Sequence, residues 1–274
     1  MSDLSQQLAE PYATSEEQRQ FFQKNGYIKL KQVLSPAIIQ HYQAEISRQV
    51  RELNTMHLPM EQRSTYQKAF LQVMNLWTKS EVVKQLVFSR RLAKIAADLM
   101  GCRGVRLYHD QALYKEPGGG ITPWHADQFY WPLATDNTVT AWIPLQATPM
   151  NLGPLAYSAG SQRFNAIGRD IEISDESEQK LSKALLESGL PLDEAPFDLG
   201  EVGYHLGWTF HRAGPNTSDR PREVMTIIYH DADAKVLEPK SKAHGNDLKA
   251  WLPGCNPGDL AASPLNPVLW ESPS

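Results

Sequence analysis

The chain has 274 residues, a formal charge of −4 and 41% hydrophobic residues that include seven Trp and ten Tyr, so it can bury a large core but lacks the basic excess of a general nucleic-acid binder. Its two cysteines, Cys102 and Cys255, make neither a disulfide framework nor a thiolate zinc site. The polar, acidic start "MSDLSQQLAEPYATSEEQ" offers no export signal and no window approaches the ~20 apolar residues of a bilayer span, so the expectation is a cytoplasmic protein without nucleic-acid or membrane partners.

Residues 1–103 read as mainly helical. In "SEEQRQFFQKNGY", Ser15 and Gln18 form a capping box and Gly26 stops the helix. "SPAIIQHYQAEISRQVREL" opens with Ser35 as N-cap and Pro36 in the first turn, then repeats apolar residues at Ile38, Ile39, Tyr42, Ile46, Val50 and Leu53. "SEVVKQLVFSRRLAKIAADLMG" predicts two short helices broken near Ser89, with Arg90 and Arg91 facing solvent. From Val105 the pattern changes to short runs rich in β-branched and aromatic residues: "VRLYHDQALYK", "TVTAWIPLQAT", "GPLAYSAGS", "EVGYHLGWTFHRA" and "REVMTIIYHD". An acidic insertion at 170–196 carries one helix around "SEQKLSKALLES" and is expected to act as a lid; residues 235–274 read as an irregular extension. Helices followed by many short strands predict one α+β domain over 1–274, with a barrel or sandwich over 104–234 buttressed by the helices. The glycines of "EPGGGIT" precede a strand, which fits a mobile turn better than a phosphate loop.

In "TPWHADQFYW", His125 and Asp127 stand two apart, and on a strand such residues share a face. Two ligands hold a metal poorly, and the candidates for a third are His109, His205, His211 and His230. His211 stands out because Arg222 follows it by eleven residues, across the turn of "HRAGPNTSDRPREV" and at the start of an apolar strand. Two histidines and one carboxylate with open positions suit a non-haem Fe(II) oxygenase, and a fixed arginine offers a fork for a diacid.

With these residues in place, the chain resembles the phytanoyl-CoA dioxygenase family of Fe(II)/2-oxoglutarate-dependent oxygenases. The resemblance covers about residues 15–235 and is closest in "DQALYKEPGGGITPWHAD", "AWIPLQATPMNLGPLAYSAGSQR" and "TFHRAGPNTSDRPR". It implies a double-stranded β-helix, or jelly roll, mostly β, with N-terminal helices packed on its major sheet. It further implies iron held by His125, Asp127 and His211, Arg222 on the distal carboxylate of 2-oxoglutarate, and Gln111 and Trp142 as further co-substrate contacts. The implied reaction consumes O2 and 2-oxoglutarate, releases succinate and CO2, and hydroxylates a small organic molecule. Related halogenases have a small residue in place of Asp127, so the carboxylate favours hydroxylation. Where the family often carries a hydroxyl two residues after the distal histidine, this chain has Ala213, and Thr140 or a water is the expected substitute.

Phe129, Tyr130 and Trp131 are expected either to wall the substrate or to fill the core, and glycines 118–120 to let the preceding loop open and close. Lys115 either reaches an anionic group or caps a sheet edge; Asn75 and Trp77 are candidates to enter the pocket from the helical side. His205 is expected to be a core histidine satisfied by backbone, while His109 could share a face with Gln111. Three rival functions use the same residues: a jelly-roll binding protein without turnover, a zinc hydrolase, and an iron enzyme that desaturates, cyclises or epimerises. The zinc reading lacks a general base beside the ligands and leaves Arg222 without a task.

Overall fold

The computed structural model describes residues 3–165 and 169–273. Its elements run in chain order as α1 (Asp3–Ala9), α2 (Glu16–Asn25), β1 (Tyr27–Leu30), α3 (Pro36–Leu53), α4 (Thr65–Ala69), β2 (Leu71–Met74), α5 (Glu81–Val87), α6 (Arg90–Met100), β3 (Gly104–Tyr114) and β4 (Thr122–His125). There follow β5 (Thr138–Pro144), β6 (Leu155–Ser158), α7 (Asp175–Glu187), β7 (Leu192–Glu194), β8 (Val202–Leu206), β9 (His211–Ala213), β10 (Val224–Asp231), α8 (Lys242–Trp251) and β11 (Val268–Glu271). Among the described residues the strands form two sheets, a seven-stranded one ordered β1-β8-β5-β10-β3-β11 with β2 also on β3, and a four-stranded one ordered β4-β9-β6-β7. Two facing antiparallel sheets with helices against the larger one make the expected jelly roll. No helix among the described residues is long and apolar enough to cross a membrane.

The helices start where their caps dictate. Ser15 accepts from Gln18 N while the Gln18 side chain returns to Ser15 N, and Gly26 closes α2 in the left-handed region at φ 76°. Ser35 caps α3 with Pro36 behind it, and Ser80 and Ser89 cap α5 and α6 as two separate helices. The apolar stripes of α3, α5 and α6 meet the outward residues of the major sheet, Val139, Ala141 and Ile143 of β5 and Met225, Ile227 and Tyr229 of β10, in one continuous core. Period-2 alternation then sends Thr140, Trp142 and Thr226 the other way, into the space between the sheets.

Several expectations are corrected. The first hundred residues include two strands: β1 pairs with β8 and β2 with β3. Phe70, Gln72 and Met74 alternate with the core residue Val73, so "FLQVM" is a strand motif inside a helical stretch. Arg91 does not point to solvent; its guanidinium bonds the carbonyls of Val33 and Glu10. The tail is not irregular, since β11 extends the major sheet along Gly104–Arg106 and α8 packs near Trp131. The insertion is not a lid: Leu181 and Leu185 of α7 bury against Trp124 and Phe210, the outward neighbours of His125 and His211, while β7 edges the minor sheet. Only Ile173 of that segment reaches the cavity.

Candidate active site

Strands β4 and β9 pair so that His125 lies opposite His211. Both imidazoles are turned by the same device, an Nδ1 held to a backbone carbonyl two residues earlier: Pro123 at 2.7 Å and Thr209 at 3.0 Å. That leaves each Nε2 free to face Asp127 Oδ1, at 3.6 Å in both cases, a separation too long for a hydrogen bond. The three ligand atoms lie within 4.8 Å of one another. Burial lowers both histidines to about 4, so each is neutral at pH 7 and presents a lone pair. Burial alone raises the Asp127 carboxyl, but the imidazoles of His211, His205 and His125 outweigh it and hold the group far below the usual carboxylate range. Neutral imidazoles and an ionised carboxylate around a common point are the protonation states a divalent cation requires.

The two carboxylate oxygens of Asp127 have separate surroundings. Oδ2 accepts from Thr140 Oγ1 at 3.0 Å and lies 3.3 Å from His205 Nε2. The expectation for His205 is thereby corrected: it braces the carboxylate rather than the backbone, and its Nδ1 has no partner. The expectation for the His-x-Asp pair is corrected too. Only His125 belongs to the strand; Asp127 opens a 3-10 turn through Tyr130, and that turn swings its carboxylate back to the imidazoles.

Arg222 is 2% exposed and lines the same cavity. Its backbone bridges to Lys115 just past the ends of β10 and β3, with hydrogen bonds of 2.8 and 2.9 Å. One guanidinium nitrogen donates to Gly153 O at 2.7 Å, while Nε has no partner. Gly153 takes φ 69°, and a Cβ there would overlap the Gly214 carbonyl, so only glycine presents its oxygen to Arg222 in this way. No carboxylate pairs with this guanidinium among the described residues, and burial lowers its pKa to about 9. A buried cation with an unfilled donor calls for an anion.

Gln111 and Trp142 both line the cavity, as expected. Gln111 Oε1 accepts from Gln72 at 2.6 Å, and the guanidinium carbon of Arg222 lies 5.6 Å from the Trp142 ring centre. His109 also lines the cavity beside Gln111, whereas His230 does not, its Nδ1 lying 2.8 Å from Asp231 O. Tyr130 and Trp131 form part of the wall, but Phe129 is absent from it and stands edge-on to Tyr130. Lys115 does not enter the cavity: it is fully buried and donates to the carbonyls of Gly120 and Gly214 and to Thr122. Asn75 and Trp77 stay outside as well, because Asp110 accepts their segment's Leu76 N–H and takes it into the helical layer. The glycine loop is tied down rather than free, with Gly118 N, Gly120 N and Gly119 O bonded to Asn216 O, Lys68 O and Asn216 N. The Thr140 hydroxyl, expected to make up for the one missing at Ala213, donates to Asp127 instead; Thr122 is paired opposite Ala213 and lines the cavity.

The cavity encloses about 240 Å3. Tyr66, Phe70, Met74, Ile173, Asp247 and Trp251 line it without having been singled out in the sequence. The alternation of Phe70, Gln72 and Met74 was a usable signal for that segment; nothing local marks Asp247.

Comparison with known proteins follows the same lines. The profile of the family described as "Phytanoyl-CoA dioxygenase (PhyH)" matches residues 22–224. A probable alpha-ketoglutarate-dependent hypophosphite dioxygenase of Stutzerimonas stutzeri is 26% identical over 81% of this chain and 80% of its own. The crystal structure of SnoK, a non-heme alpha ketoglutarate dependent carbocyclase from nogalamycin biosynthesis, superposes with a TM-score of 0.74 at 25% identity, covering 95% of this chain and 99% of that one. The epimerase SnoN, solved with Fe3+, alpha ketoglutarate and nogalamycin RO, gives a TM-score of 0.77 at 24% identity over 93% of this chain and 98% of its own. With most of its length matched by one profile and its fold shared with these enzymes, the chain belongs to the phytanoyl-CoA dioxygenase family.

Proposed function

We propose that residues 1–274 act as one catalytic domain, in which His125, Asp127 and His211 hold Fe(II) and Arg222 binds the distal carboxylate of 2-oxoglutarate. The chain is an iron- and 2-oxoglutarate-dependent dioxygenase that hydroxylates a small organic molecule. The observation that carries this reading is the convergence of three ligand atoms within 4.8 Å in the cavity that also receives an unpaired arginine. When bound, iron, 2-oxoglutarate and O2 supply the oxidising power, with release of succinate and CO2.

The protein's own contribution is placement. The carbonyls of Pro123 and Thr209 fix the tautomers of the two histidines, and Thr140 and His205 hold Asp127 so that Oδ1 faces them. Arg222 and Thr122 receive the co-substrate's far carboxylate, and Trp142 packs beside the guanidinium. The aromatic wall keeps water from the reacting carbon. A carboxylate at Asp127 leaves no position for halide, which favours hydroxylation. Two free thiols and a ferrous site suit the reducing cytoplasm, where we place the protein.

Anaerobic addition of Fe(II) and then 2-oxoglutarate to the purified protein should produce a weak visible charge-transfer band, absent from His211→Ala. A well-folded wild type that shows no such band, and that releases no succinate across a broad substrate panel, would overturn the assignment. Turnover with zinc in the absence of O2 would point to the hydrolase instead.

A further inference from the structure

The two ends of the cavity differ in chemistry. Arg222 stands at one end of β10, and six residues along the strand, about 20 Å at the usual rise, Ile228 faces His109. Around that far end the wall is aromatic, with contributions from Tyr66, Tyr130, Trp131 and Trp251. A bulge in β3 makes this possible: the register with β10 slips between Ile228 and Tyr229, and Tyr108 is the extra residue. As a result Tyr108 and His109 both serve the inner side, where Tyr108 packs edge-on to Trp131 and His109 against Trp251 at 5.0 Å.

Helix α8 adds a charge to these rings. Asp247 and Trp251 are four residues apart, hence on one face of the helix, and both line the cavity. Asp247 Oδ2 accepts the Tyr108 hydroxyl at 3.1 Å. Apart from Asp127, Asp247 is the only carboxylate among the described lining residues, and Arg222 is their only guanidinium or ammonium group. His109 adds no positive charge, since burial lowers it to about 4. The far end therefore offers one carboxylate among ring faces and no fixed cation. Both features attract a positive group, by charge-assisted hydrogen bonding and through the ring quadrupoles. A carboxylate or phosphate placed there would find no positive charge to pair with.

Building on the oxygenase reading, we infer that the substrate is an organic amine whose protonated nitrogen docks on Asp247 among the rings of Tyr130, Trp131 and Trp251, and not an acyl-CoA thioester or a free acid. Helix α8 lies beyond the residues 22–224 that the family profile matches, so this anchor is not part of what that match covers. Burial raises Asp247 to about 7, so an incoming ammonium also restores the ionised form that its desolvated site disfavours.

Calorimetric titration of three probes of equal size separates the possibilities: 2-phenylethylamine, 2-phenylethanol and phenylacetate, each added to the metal-free protein and again after anaerobic loading with Fe(II) and 2-oxoglutarate. The amine should bind at least about tenfold more tightly than the alcohol, and the acid more weakly than either. Asp247→Asn should remove about tenfold of the amine's affinity while shifting the alcohol by no more than about twofold. Asp247→Glu keeps the charge and should keep the preference, which guards against a variant that merely misfolds. An amine that binds no better than the alcohol, complete absence of amine binding included, overturns the inference, as does a preference that survives in Asp247→Asn. Failure of 2-oxoglutarate to bind the Fe(II) protein would strike the oxygenase reading instead, because the amine preference is also read without metal.

Discussion

Asp127 performs two tasks with two oxygens, one turned to the imidazoles and one held by Thr140 and His205. Removing the Thr140 hydroxyl frees Oδ2 without touching a ligand atom. Thr140→Val should therefore fold normally and weaken binding of Fe(II), or of Co(II) as a coloured substitute, by about 10–100-fold. Unchanged affinity in that variant would show that the brace is incidental. At the other end of the cavity, Arg222→Lys retains charge but loses the planar fork. Titration of the Fe(II) protein with 2-oxoglutarate should show at least about a tenfold rise in Kd; an unaltered Kd would remove Arg222 from the co-substrate site. That these residues meet in one cavity was legible because they lie in short motifs at fixed spacing, "HAD" and then His211 with Arg222 after a turn. For Lys115 and Phe129 the sequence left two readings open, for the opposite reason. Each lies within a few residues of one that lines the cavity, but local geometry turns it away: Lys115 into the carbonyls that close the glycine loop, Phe129 out of the 3-10 turn that aims Asp127. Asp247 lay wholly out of reach, since no pattern in "KAHGNDLKAW" ties it to a strand 139 residues earlier, where Tyr108 meets it.

The minor sheet is thin on its own, and α7 supplies its outer cover. Leu181 is fully buried there with Trp124 and Phe210, the residues next to His125 and His211. Glu178 of the same helix accepts the Trp124 backbone N–H at 2.9 Å. Leu181→Ala should cost ~2–5 kcal/mol in urea unfolding, in line with other buried Leu truncations. Because the strands that carry His125 and His211 lose their backing, metal affinity should fall together with stability. A variant that loses stability while binding metal as the wild type does would show that α7 is only a passenger on the sheet. Helices α2, α3, α5 and α6 could be read from caps and stripes, because local signals decide where they begin and end. The short strand β2 and helix α8 could not be read with equal ease. Four residues of β2 owe their form to pairing with β3, and α8, with Gly245 and Asn246 inside it, owes its form to Leu248, Trp251 and Leu252 packing against the rings beneath. Where partners distant in the chain decide the conformation, the local pattern is weak.

Across the molecule, burial has moved several ionisable groups in opposite directions, and together they set how stability varies with pH. His109, His125, His211 and His230 are lowered to about 4. Between about 4 and 6.5 the unfolded chain takes up these protons and the folded one does not, so the histidines make metal-free stability rise with pH across that window. Asp110 and Asp247 are raised to about 7, and the folded chain holds the extra proton between about 4 and 7, so they make stability fall as pH rises. Four groups oppose two between pH 4 and about 6.5, where the metal-free protein should gain stability; above about 7 Lys115, which burial lowers to about 6, carries the rise further, because the unfolded chain then holds a proton that the folded one does not. Asp110 isolates one of the opposing terms, being fully buried, absent from the cavity lining, and bonded to the N–H groups of Leu76 and Trp77. In Asp110→Asn the side chain still accepts the shorter of these bonds but has no proton to lose. The difference in unfolding free energy, variant minus wild type, should therefore move in favour of Asn by on the order of 1–3 kcal/mol between pH 5 and pH 8. Chemical denaturation of both proteins at the two pH values measures that difference directly, and a pH-independent difference would mean that Asp110 is ionised in the folded protein throughout.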